Sequence, residues 1–204
     1  MSDRNHKTIS QLFSYGELAE QLPQYKERLE QDHFPHVWNR LSSKTQDILS
    51  MAECLYCGVT DYSAADYAPI CLEYCRALEV EMNELIFTPF RNSTNVFRLA
   101  NSNFYYNKLR ENRDMTLGEC VYLIDKCSHQ RRPLTELKRF IPSNIKQNGV
   151  LLGNAIDVLR ELNENVRRLS AHTTVMSYAN LVTTRQKVLG IGNLNLFYVL
   201  RDDR

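Results

Sequence analysis

Residues 153–169, GNAIDVLRELNENVRRL, decide the fold class. Ile156, Leu159, Leu162, Val166 and Leu169 recur at intervals of three, three, four and three, which is the period of one helical face, whereas a strand would alternate by two. The spacing predicts the strongest helix of the chain here, and it ends on Arg-Arg-Leu-Ser-Ala-His. A second helix is read in CLEYCRALEVEMNELIF, residues 71–87. Leu72, Cys75, Leu78, Met82, Leu85 and Ile86 share its apolar face, while Glu73, Arg76, Glu79 and Glu84 fall elsewhere. This is read as the central core helix, ended by Pro89.

The same periodicity extends in both directions. Ile9 to Glu30 gives two short helices or one kinked at Pro23. His36 to Cys57 gives another, with Ser42 and Ser43 as candidate caps and Gly58 as its stop. GVTDYSAADYAP, residues 58–69, is a connection. The stretch around 91–115 is polar and Asn-rich with aromatic interruptions, and is read as an insertion carrying one short helix. Thr116 and Glu119 form a capping box before CVYLIDKC, and Pro133 with 135–140 suggests a further short helix. A closing helix over 178–200 has Gly190 and Gly192 as a possible break. With 7 Gly and 6 Pro in 204 residues, the expectation is an all-α protein.

A formal net charge of +1 argues against a globally cationic nucleic-acid binder, so any such site must be a local patch. No stretch approaches the roughly 20 apolar residues of a membrane span, and MSDRNHKTIS has no signal-peptide core. The expectation is a cytoplasmic protein without membrane association, in which the 6 Cys are reduced.

Arg167 or Arg168 with His172 forms the first candidate site. An imidazole can take the proton of a ribose 2′-hydroxyl near neutral pH, and a guanidinium can hold the scissile phosphate. RNA carries its own nucleophile, so neither metal nor activated Ser or Cys is required. As a bare pattern Arg-x4-His is weak: Arg28 to His33 satisfies it as well, and a helix-end Arg and His pair favoured by the macrodipole is the simpler alternative. Cys54, Cys57, Cys71 and Cys75 have the spacing of a four-Cys zinc site, but both pairs read as helical and core packing is preferred. His33 and His36 beside Asp32 are read as a solvated turn. No metal and no cofactor is therefore assigned. Arg131, Arg132, Lys138, Arg139 and Lys146 could track an RNA backbone, with Tyr105, Tyr106 or Phe140 as stacking surfaces.

The run LRELNENVRRLSAHTTVMSYANLVTTRQKVLGIGNLNLFYVL, residues 159–200, resembles the C-terminal half of HEPN domains: a helix, an Arg-x4-His signature, a polar linker and a closing helix. DYSAADYAPICLEYCRALEVEMNELIF, residues 61–87, is similar to their opening helix. The resemblance implies a HEPN-like helical bundle over 46–204, with the insertion around 91–115, preceded by a helical N-terminal extension over 1–45. It further implies a homodimer in which two motifs share a cleft, and a metal-independent endoribonuclease of the toxin or antiviral-defence kind, with an antitoxin or defence-system partner protein. By position the family's Arg falls on Arg167, as phosphate clamp, and its His on His172, as general acid or base. Arg168 stands where the family often has Asn, Asp or His. On an unbroken helix Arg168 would share a face with His172, and Arg167 would lie about 140° away. Both arginines are therefore carried, with a catalytically silent HEPN module that binds a partner protein or nucleotide as the alternative.

Overall fold

Ile70, Cys71, Tyr74, Cys75, Ala77, Leu78 and Met82 are all fully buried, so the helix that carries them, α3 (Ala68–Met82), is enclosed on most of its circumference. It packs against α2 (Ser43–Gly58), α7 (Leu117–Ser128) and α12 (Tyr178–Leu189). This is the central core helix that the sequence leads one to expect. The structure, a computed structural model, describes residues 15–59, 65–102, 104–128, 134–171 and 175–202, and all regular elements among the described residues are helical. No helix among them is long and apolar enough to cross a membrane.

The described N-terminal residues form one helix with Pro23 inside it, α1 (Tyr15–Asp32), lying on α2, while the start of the expected Ile9–Glu30 stretch lies outside the described residues. The turn that follows sends Phe34 into the core, where it stacks on Trp38 with ring centroids 6.1 Å apart and meets the edge of Phe197 at 5.4 Å. Phe197 belongs to the last helix, α13 (Leu196–Arg201), so the described part of residues 1–45 is built into the same core as the C-terminus. Ser42 caps α2 by accepting the Thr45 N–H at 3.1 Å.

Pro89 does not end the helix it follows. Beyond α3 the chain makes a π turn, Asn83–Phe87, and continues as α4 (Thr88–Ser93). Within the wider turn the Thr88 N–H reaches the Asn83 carbonyl, five residues back, and a register that is already broken accommodates a residue with no N–H to give.

The 91–115 stretch also holds more structure than one helix. After α4 come α5 (Val96–Ser102), a 3-10 turn over Phe104–Tyr106, and α6 (Asn107–Arg110). Val96, Ala100, Tyr106, Leu109 and Met115 enter the core. These anchors were hidden in the sequence because polar residues between them mask the period. Tyr106 donates to Glu136 Oε2 at 3.0 Å and accepts the Leu137 N–H at 3.3 Å, tying the stretch to α8 (Thr135–Asn144).

The Thr116–Glu119 capping box is present: Glu119 Oε2 accepts the Thr116 N–H at 3.0 Å, and Thr116 Oγ1 accepts the Glu119 N–H at 3.4 Å. Past α9 (Asn148–Val150), a π turn over Leu151–Ala155 leads into α10 (Ile156–Leu162); a second, Asn163–Arg167, leads into α11 (Arg168–Ser170). The break expected at Gly190 is real. That residue ends α12 at φ 71°, and an added Cβ would come within 2.5 Å of the Asn195 Cα. A Gly190→Ala protein should lose about 2–3 kcal/mol, from left-handed strain and the backbone clash, read as a lowered urea midpoint at unchanged slope.

Candidate functional site

The apolar stripe of α10 is buried through Ile156, Leu159, Leu162 and Val166, but its last expected member, Leu169, is 36% exposed. The π turn at Asn163–Arg167 is the cause. A π turn takes up one extra residue, so every side chain beyond it is set back by about 100°. Leu169 is rotated out of the core. Arg167 is brought toward α3 instead, and the face relation calculated for an unbroken helix does not apply.

Arg167 is half-buried, and its Nε lies 3.6 Å from Glu79 Oε2. The same carboxylate oxygen accepts the Leu117 N–H at 2.8 Å, so Glu79 sits at the N-terminus of α7, where the helix dipole favours a negative charge. One turn further along the helix, Asn83 fixes the approach to α7. Its Nδ2 donates to the carbonyls of Glu79 and Met115, each at 2.8 Å, and its Oδ1 accepts the Met115 N–H at 2.9 Å. Among the described residues the Arg167 side chain makes no hydrogen bond, so its guanidinium edge is held near Glu79 without being consumed. Arg168 is exposed. Ser170 Oγ is buried with no hydrogen-bond partner among the described residues. His172 lies outside the described residues, as do Arg131 and Arg132.

Lys138 and Arg139 are exposed on α8. Lys138 is close enough to Cys127, near the far end of α7, to oppose the rise of its thiol pKa. Leu117 and Cys127 are ten residues apart, about 15 Å at 1.5 Å per residue, so the structure does not bring these cations to Arg167. Of the candidate stacking rings, Tyr106 is buried and Phe140 half-buried. Only Tyr105 of the three lines an open cleft.

That cleft, of about 600 Å³, is the feature sequence reasoning missed. Phe104, Tyr105, Tyr122, Asn107, Thr116 and Gly118 line it together with the charged Lys108, Glu111 and Glu119. Phe104 is 77% exposed and Tyr122 40%. Glu119 accepts from Arg113 Nη2 at 2.7 Å and lies 3.2 Å from Lys108 Nζ, while Glu111 accepts from Arg113 Nε at 2.7 Å. The Arg113 hydrogen bond is the chief cause that holds the Glu119 carboxyl at about 2, against an ordinary 4.5. A depressed carboxyl stabilises the fold above its ordinary value, and that stability is lost as pH falls from about 4.5 toward 2. Arg113 is itself 44% exposed, so solvent screening leaves about 1 kcal/mol. Glu119→Gln should therefore flatten the acid limb of stability between pH 5 and 2, measured by urea titration.

The four cysteines with zinc-like spacing are not assembled. Cys54, Cys71 and Cys75 are buried and Cys57 is exposed, and among the described residues no group of three metal-ligating side chains converges. Burial pushes the Cys71 thiol up to about 11 and the Cys127 thiol up to about 12, far from a reactive thiolate.

No family model matches the chain, and neither the curated proteins nor the solved structures hold a match to it.

Proposed function

We propose that the protein is a HEPN-like, metal-independent endoribonuclease that acts on RNA in the cytoplasm, as a homodimer and as a toxin or antiviral-defence effector held in check by a partner protein. The observation that supports this reading is the half-buried Arg167, turned inward by a π turn, five residues before His172 and with no side-chain hydrogen bond among the described residues. In the proposed reaction the His172 imidazole takes the 2′-hydroxyl proton, and O2′ attacks the adjacent phosphorus. The bond to the 5′-oxygen breaks, and that oxygen leaves with a proton from the imidazolium of the second copy. Arg167 and Arg168 neutralise the charge on the phosphoryl oxygens as it builds. The products carry a 2′,3′-cyclic phosphate and a 5′-hydroxyl.

A second reading, a silent module that binds a partner protein or nucleotide, is favoured by Glu79, which already offsets the Arg167 charge, and by Arg168 in a slot where a small polar group serves the chemistry. End analysis separates the two. Wild-type protein incubated with RNA in excess EDTA should leave cyclic-phosphate ends and elute at the mass of two subunits. Intact RNA across single-stranded and structured substrates would favour the module.

A further inference from the structure

The cleft beside α7 lies close to Arg167. An added Cβ on Gly118, in the cleft wall, would meet Asn163 Oδ1 at 2.9 Å, and Asn163 opens the π turn that ends at Arg167. The cleft wall and the arginine, which Glu79 links to the Leu117 N–H, therefore both adjoin the start of α7.

The aromatic lining forms a chain. The Phe104 and Tyr105 ring centroids are 6.2 Å apart and those of Tyr105 and Tyr122 5.8 Å apart. A cation flanks it: Lys126 Nζ lies 5.2 Å from the Tyr122 ring centre. A phenylalanine 77% in water contributes nothing to this core, and aromatic faces interleaved with cations are what sequence-tolerant binding of single strands uses. The charged part of the lining is close to neutral, because Arg113 and Lys108 compensate Glu111 and Glu119. A charge-compensated, ring-lined cleft suits a base rather than a phosphate, and Asn107 adds an amide to its lining. A volume of about 600 Å³ is that of a small-ligand pocket rather than of a broad protein interface.

We infer that this cleft binds an unpaired nucleobase of single-stranded RNA, stacked on Phe104 and Tyr122, and so places the neighbouring phosphate at Arg167. The inference rests on the ribonuclease reading, and the test keeps the two apart. Binding is measured by anisotropy of a labelled 2′-O-methyl oligonucleotide, which cannot be cleaved through its 2′-oxygen, and cleavage is measured on the matching RNA in EDTA. Phe104→Ala with Tyr122→Ala should weaken oligonucleotide binding about 5- to 100-fold, and Phe104→Trp should restore it. Arg167→Ala should abolish cleavage while most of the oligonucleotide affinity remains. Equal binding by wild type and the aromatic variant overturns the cleft assignment, whatever the cleavage result. Failure of wild type to bind any single-stranded oligonucleotide also overturns it, and if the aromatic variant then loses self-association, the rings serve a protein contact. Cleavage that persists in either case leaves the ribonuclease reading standing.

Discussion

Arg185→Ala is expected to destabilise the protein by about 3–5 kcal/mol, because removing one member of a buried ion pair strands the other's charge. Glu53 on α2 is 1% exposed. Its two carboxylate oxygens accept from Arg185 Nε at 2.7 Å and Nη2 at 2.9 Å, and it also accepts the Tyr74 hydroxyl. The Arg185 guanidinium lies 4.6 Å from the Tyr56 ring centre. The cluster joins α2, α3 and α12, and burial followed by the Glu53 charge drives the Tyr74 pKa well above its ordinary value. A chain of this length should show a fall in Tm of about 10 °C or more. The double change Glu53→Gln with Arg185→Met keeps an acceptor for Tyr74 and removes both charges, so it should recover most of the loss. A double variant as unstable as Arg185→Ala would mean that packing, and not the stranded charge, sets the cost.

On the proposed reaction, Arg167→Ala and His172→Ala are each expected to lower metal-independent RNA cleavage by about 10²- to 10⁴-fold, the first with little change in stability. A positioned charge on a developing oxyanion and a general acid–base group each carry effects of that size. Arg167 reaches only one carboxylate among the described residues, at 3.6 Å, so its loss leaves no tightly paired charge behind. Arg167→Lys should recover little, since an ammonium cannot reproduce the fork of a guanidinium. Thermal melts that match wild type would assign the loss to the reaction.

The helical class and the central position of 71–87 are legible in the sequence because the period of buried Cys75, Leu78 and Met82 is uninterrupted. The caps at Ser42 and Thr116 are legible because they depend on neighbours three residues away. The π turns are not. They shift register without changing residue type, so Leu169 still reads as core and Pro89 still reads as a terminator. Glu79 reads as a polar-face residue although it meets Arg167, since nothing local tells a carboxylate that the helix it meets lies 38 residues on, at Leu117. Glu53 and Glu81 are hidden for the same reason: Arg185 and Arg201, their cationic partners, come from the far end of the chain. Among three adjacent aromatics, Phe104 is exposed and Tyr106 buried, and adjacency alone cannot rank them.

The most direct test of the proposed chemistry is cleavage of labelled RNA in excess EDTA by wild type and by His172→Ala, with the helical content of both verified by circular dichroism. Wild type should give 2′,3′-cyclic phosphate products, and a folded His172→Ala protein should lose them almost completely. Equal cleavage by the two proteins, or cleavage by wild type only when a divalent metal is restored, would contradict that chemistry.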